Sequence, residues 1–133
     1  MPHTIDIKIR GYHLDGYGHV NNARYLEFLE EARWSILEER IDLKGFMERG
    51  FLFVIVNINI NYRRAAYMDD VLRIETALHA ISSHSAVIEQ TVRLKGTETV
   101  VADARITFVI LDNQALKPLK LEGELFDILS RMK

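Results

Sequence analysis

The side chains best suited to chemistry lie together in Asp15-Gly16-Tyr17-Gly18-His19-Val20-Asn21-Asn22-Ala23-Arg24-Tyr25. Asp15 is a lone carboxylate in a loop broken by two glycines. A free Asp titrates at about 3.9, so it is charged at neutral pH without assistance. The loop runs directly into a stretch of helical periodicity. The first-turn N–H groups of a helix have no intrahelical acceptor and carry the positive end of its dipole. A carboxylate facing such donors can act on a carbonyl that they polarise, as a base toward water or as a nucleophile. That chemistry is acyl transfer without a metal, a cysteine or a serine triad.

Each of these residues also has a plainer role open to it. Asp15 is placed as well to cap a turn beside Gly16 and Gly18. Gly18 lets a backbone approach a thioester closely, and glycine is equally common where loops enter helices. His19 serves as a second acid or base, or simply orders the loop. Asn21 and Asn22 suit capping of the first turn and substrate positioning. Tyr25, Phe28 and Trp34 read as core residues, and Tyr25 also suits the wall of an acyl tunnel. Arg63 and Arg64 leave a strand end together, with Arg93 and Lys95 near another. These cations suit either the phosphates of a coenzyme A tail or a solvated rim. Ser82-Ser83-His84-Ser85 lies between two strands, and Ser85 either meets a pantetheine arm or sits in a turn. The histidines at 3, 13, 19, 79 and 84 show no metal-ligand spacing.

Positioning these residues requires a framework, and its periodicities are legible. Ile5, Ile7 and Ile9 alternate with Asp6, Lys8 and Arg10, which predicts a strand over Thr4 to Tyr12. Between Asn22 and Arg40 the period becomes helical, with Tyr25, Phe28, Leu29, Ala32, Ile36 and Leu37 on one face. Four further strands are predicted at 51–63, 71–81, 85–95 and 100–111, with a hairpin turn at Lys95-Gly96-Thr97-Glu98. Residues 121–131 suit a short C-terminal helix. Short connections make the last strands antiparallel. One long helix and one long apolar sheet face predict an α+β layer, the helix packed on a curved antiparallel sheet of about five strands. The opposite face carries Val71, Ala77, Ile81, Val87, Val101 and Val109. That face and the strand edges predict self-association as a homodimer or homotetramer.

At 133 residues the chain reads as one domain over 1–133. A net charge of −2 argues against a nucleic-acid partner, which calls for a strongly basic face. With no cysteine, disulfides and thiolate zinc sites are excluded. The N-terminus has no basic segment followed by an apolar run, and the longest apolar run, Phe51 to Val56, is far too short to span a membrane. These features lead to the expectation of a cytoplasmic protein.

The string Asp15-x-x-Gly18-His19-Val20-Asn21-Asn22-x-x-Tyr25 resembles the signature of the 4-hydroxybenzoyl-CoA thioesterase-like, or acyl-CoA thioesterase, family of the hotdog fold. Tyr62-Arg63-Arg64-Ala65-Ala66-Tyr67-Met68-Asp69-Asp70 is similar to the family's second landmark, an aromatic strand end entering a turn closed by an acidic pair. The resemblance covers about residues 4–112. It implies that Asp15 is the catalytic carboxylate and that the backbone N–H near Asn22 polarises a thioester carbonyl. It also implies an active site between subunits, acyl or aroyl thioesters of coenzyme A or of acyl carrier protein as substrates, and no cofactor. Two positions depart from the pattern: Asn22, where some relatives carry His, and Ala65, where Pro is frequent. A non-catalytic module that holds acyl groups or proteins is the competing expectation. A hydratase on the same fold is a third.

Overall fold

The computed structural model describes residues 2–133. In chain order the elements are β1 (His3–Lys8), α1 (Asn22–Arg40), α2 (Leu43–Glu48), β2 (Phe51–Tyr62), β3 (Val71–Ile81), β4 (Ala86–Leu94), β5 (Val100–Asp112) and α3 (Glu124–Ser130). A 3-10 turn at Gly11–His13 precedes α1. The strands form one antiparallel sheet in the order β1-β3-β4-β5-β2. The sheet and its long helix are the α+β hotdog arrangement that the periodicities and the motif predict.

The core lies between α1 and the inner sheet face. Tyr25, Phe28, Leu29, Ala32 and Ile36 of α1 are buried over Leu72 and Ile74 of β3, Ile88 and Val92 of β4, and Ala102 to Ile110 at alternate positions of β5. Each large aliphatic or aromatic side chain so buried contributes about 1.5–3 kcal/mol. The outer face is knitted by ion pairs instead. Arg73 and Lys95 both hold Asp6, Arg93 holds Glu75, and Arg63 holds Asp103. The hydrogen bond from Arg73, reinforced by Lys95, lowers the Asp6 carboxyl to about 2.

Several expectations need correction. The first strand stops at Lys8 rather than Tyr12, although Ile9 still exchanges hydrogen bonds with Asp69 and Asp70. The chain must then turn toward α1, and the 3-10 turn does this. α2 was not foreseen, because six residues are too few for a readable period. Its Asp42 cap accepts from Gly45 N at 3.1 Å, and its Phe46 stacks on Phe53 at 4.7 Å. Trp34 is not core but 44% exposed, since it points to the open gap between α1, α2 and β2. Val101 is buried while Val100 is only partly so. The register shifts beside it, and the segment leaving β2 lies against it through bonds from Arg63 N and Arg64 N to its carbonyl.

Candidate active site

Two short segments build the site around the N-terminus of α1. In the first, Asp15 N donates to His19 O at 2.8 Å and Gly18 N to Asp15 O at 3.1 Å, while Leu14 and Val20 form a bridge. Gly18 adopts φ +80°, a conformation that costs any other L-residue strain, so glycine is required to close this loop. The second segment is the turn after β2. Tyr67 N donates to Asp70 Oδ2 and Asp70 N to Tyr67 O. The two segments are joined by Val20 N donating to Ala66 O at 2.9 Å and by an edge-on contact of the His19 and Tyr67 rings.

Asp15 orders the loop through one of its two carboxylate oxygens. Its Oδ1 accepts from Tyr17 N at 2.9 Å and His19 N at 3.3 Å, which orders the loop. Its Oδ2 takes part in no hydrogen bond among the described residues. Asn21 caps α1, its Oδ1 accepting from Ala23 N at 3.0 Å. Asn21 N is itself held by His13 O. The Asn22 N–H meets no acceptor among the described residues, so it is an open donor at the positive end of the helix. His13, which supports this start, is buried. Burial, with help from Arg24, keeps its imidazole below the usual histidine range. Its Nδ1 accepts from Arg10 N at 2.8 Å.

A cavity of about 350 Å³ opens here, lined by Asp15, His19, Asn22, Tyr25, Arg63 and Arg64, among others. The structure thus brings together most of the residues singled out from the sequence. Gly18 and Asn21 shape the loop and the cap behind the cavity. Ser85 lies apart: it closes the β3–β4 turn with Ser82, at the end of β3 remote from the Tyr67–Asp70 turn. Tyr25 is buried, which pushes its phenol up to about 12 and keeps it neutral. Arg63 is engaged by Asp103 at 2.8 Å, whereas Arg64 makes no ion pair among the described residues.

Tyr62 was not foreseen as part of the site. Its hydroxyl donates to Asn22 O at 3.0 Å, and its ring meets Tyr25 edge-on. It thereby ties the end of β2 to the helix start. The available signal was an aromatic residue directly before Arg63-Arg64. Also unforeseen is a polar set inside the core: Arg33, Gln90 and Thr76. Gln90 interrupts the inward series Ile88 to Val92, and Arg33 sits between Leu29 and Ile36 on the apolar face of α1. These were visible as polar residues at inward positions.

The geometry is that of a carboxylate and a helix-end donor opening on one cavity, which suits attack on a polarised carbonyl. The chain is also similar to known proteins. The Thioesterase-like superfamily matches residues 9–128. The chain is 52% identical to the long-chain acyl-CoA thioesterase FadM of Escherichia coli K12, over 95% of this chain and 96% of that one. It is 30% identical to the acyl-CoA thioesterase YbgC of Haemophilus influenzae, over 83% and 81% of the two chains. The crystal structure of YbaW from Escherichia coli superimposes with a TM-score of 0.92 at 50% identity, covering 97% of each chain. With fold and relatives in agreement, this chain belongs to the thioesterase-like superfamily and is a thioester hydrolase of the hotdog fold.

Proposed function

We propose that the protein hydrolyses acyl-CoA thioesters to a free acid and coenzyme A at the Asp15 cavity. The carrying observation is that the unengaged Asp15 Oδ2 and the unengaged Asn22 N–H belong to residues lining one cavity. In this reading the thioester oxygen accepts from Asn22 N–H as charge builds on it. Asp15 either takes a proton from the attacking water or adds to the carbonyl carbon, giving a mixed anhydride that water then cleaves. In both routes the C–S bond breaks and the sulfur leaves as the coenzyme A thiol. His19 and Asn21 order the loop and cap, and Gly18 allows the approach. Tyr25 and Tyr62 wall the cavity. Arg64, free of an ion pair, is the better placed of the two cations for the phosphates of coenzyme A.

We further infer that the protein acts as a homo-oligomer. β2 is an edge strand on which Ile55, Val56, Ile58 and Tyr62 are all more than a third exposed. An apolar, unpaired edge next to the catalytic cavity is a surface that a second copy would cover.

The test is thiol release from a panel of thioesters, acetyl to palmitoyl and benzoyl, on coenzyme A and on acyl carrier protein, with Asp15→Asn alongside. Turnover that is lost in the variant supports the reading. Turnover retained in the variant refutes the role given to Asp15. Sedimentation of the same sample reports the oligomer.

A further inference from the structure

Beyond the Asp15 cavity, α1 flanks a second one, an apolar slot of about 250 Å³ between α1, α2 and β2. Its floor includes Ile88, Phe108 and Met132, all buried, and its mouth is bounded by Trp34 and Ile55, both exposed. One side chain in its wall does not suit an apolar slot. Arg33 is 9% exposed, and its guanidinium makes a single hydrogen bond, Nη1 donating to Gln90 Oε1 at 3.1 Å. No carboxylate lies within ion-pair distance of it among the described residues; Glu30, at the slot's rim, acts only through space. Gln90 is fixed in this orientation by its Nε2, which donates to Leu29 O and Thr76 Oγ1, both at 3.0 Å, so only its Oε1 faces the guanidinium. The guanidinium has five N–H donors and one acceptor, and its unbonded nitrogens are not sealed in the core but open at the slot, ready for a further acceptor.

The slot is aligned with the catalytic cavity. Asn22, Leu26 and Arg33 share one face of α1 at helical spacing, and Leu26 is exposed between the two ends. Eleven residues of helix separate Asn22 from Arg33, about 16 Å, a distance that only a long acyl chain spans from a carbonyl at Asn22 N–H.

We propose that the slot receives the far end of a long acyl chain and that Arg33 selects chains carrying an acceptor oxygen there, a carboxylate above a hydroxyl. An unsubstituted chain fills the slot but leaves the guanidinium facing hydrocarbon. A terminal carboxylate supplies both the missing acceptor and the missing countercharge. For turnover this inference rests on the thioesterase reading; for binding it does not.

Trp34 is the only tryptophan and stands at the slot, so its fluorescence reports occupancy. Palmitoyl-CoA, its omega-hydroxy form and its omega-carboxy form are titrated against the Asp15→Asn protein, and their turnover is measured on the unsubstituted chain. The omega-carboxy thioester is expected to bind about tenfold tighter than palmitoyl-CoA, with the omega-hydroxy form between them. Arg33→Met should level the three affinities, and Arg33→Lys should keep their order. Equal affinity of the unsubstituted and omega-carboxy chains overturns the proposal, and so does a ranking that survives Arg33→Met. If Arg33→Met fails to fold, the ranking by the Arg33 protein still decides. Ranked binding without turnover would leave the slot assignment standing and remove the thioesterase reading instead.

Discussion

Two stretches of α1, its start and the turn around Arg33, handle polarity in opposite ways. At its N-terminus the polar groups are backbone and loop atoms: the Asn22 N–H, the Asp15 carboxylate and the cap from Asn21, all beside an open cavity. Three turns later the polar groups are side chains sunk in the core, Arg33, Gln90 and Thr76, with an apolar slot beside them. The first arrangement keeps charge where water can solvate it until substrate arrives. The second keeps a charge where little water reaches it, so its neighbours decide how well it is tolerated. Electrostatics near the surface is cheap to maintain and is open to whatever enters the cavity. Electrostatics in the core is expensive to maintain and acts on stability and on what can enter.

That contrast predicts different signatures in the two stretches. The largest effect is expected for Asp15→Asn, which should lower kcat by about 10²–10⁴-fold. The Asn side chain still offers Tyr17 N and His19 N an acceptor, so thermal unfolding by circular dichroism should be unchanged. A large loss of stability would mean that Asp15 serves the loop more than the reaction.

In the buried stretch the signature reverses. Gln90→Leu leaves Arg33 with no hydrogen bond and should cost about 2–4 kcal/mol in urea unfolding. Adding Arg33→Met should recover much of it, because the cost is an orphaned cation rather than a cavity. If the double variant is no better than the single one, packing rather than charge governs this region.

Smaller is the effect of Gly18→Ala, in which a side chain at φ +80° adds about 1–2 kcal/mol of strain to the Asp15 loop. Gly16→Ala, where the backbone is ordinary and space is open, is the control and should be silent in both melting and turnover.

The smallest effects concern pH. His13 has a folded-state pKa below its ordinary 6.5, chiefly through burial, so its contribution to stability is complete above that value. It is lost as pH falls below 6.5, when the unfolded chain takes up the proton first. Asp6, lowered from 3.8 to about 2 mainly by the Arg73 hydrogen bond, contributes above about pH 4 and loses that contribution between pH 4 and 2. Urea midpoints at pH 7.5, 5 and 3 should therefore fall in two steps. His13→Asn should remove the first step and Arg73→Ala should flatten the second.

Much of this was legible in the chain. Alternation at Leu72-Ile74-Thr76 and at Ala102 to Ile110, the helical period from Tyr25 to Ile36, and the hairpin at Gly96 are local patterns, and side-chain periodicity alone assigns them. The Asp15-to-Tyr25 string placed a carboxylate before a helix start for the same reason, since caps and glycine turns act within a few residues. What sequence could not decide depends on who lies opposite whom. β2 reaches the far edge beside β5 rather than its sequence neighbours, which brings Tyr62 onto the Asn22 carbonyl and Arg64 to the Asp15 cavity. α2 is too short to announce itself, yet it closes the side of the slot where Trp34 stands exposed. Arg33 and Gln90 are fifty-seven residues apart, and their meeting exists only because α1 packs across β4. Local periodicity determined the elements and the loop chemistry. Tertiary packing alone decided which polar groups were left with a partner and which were left facing a cavity.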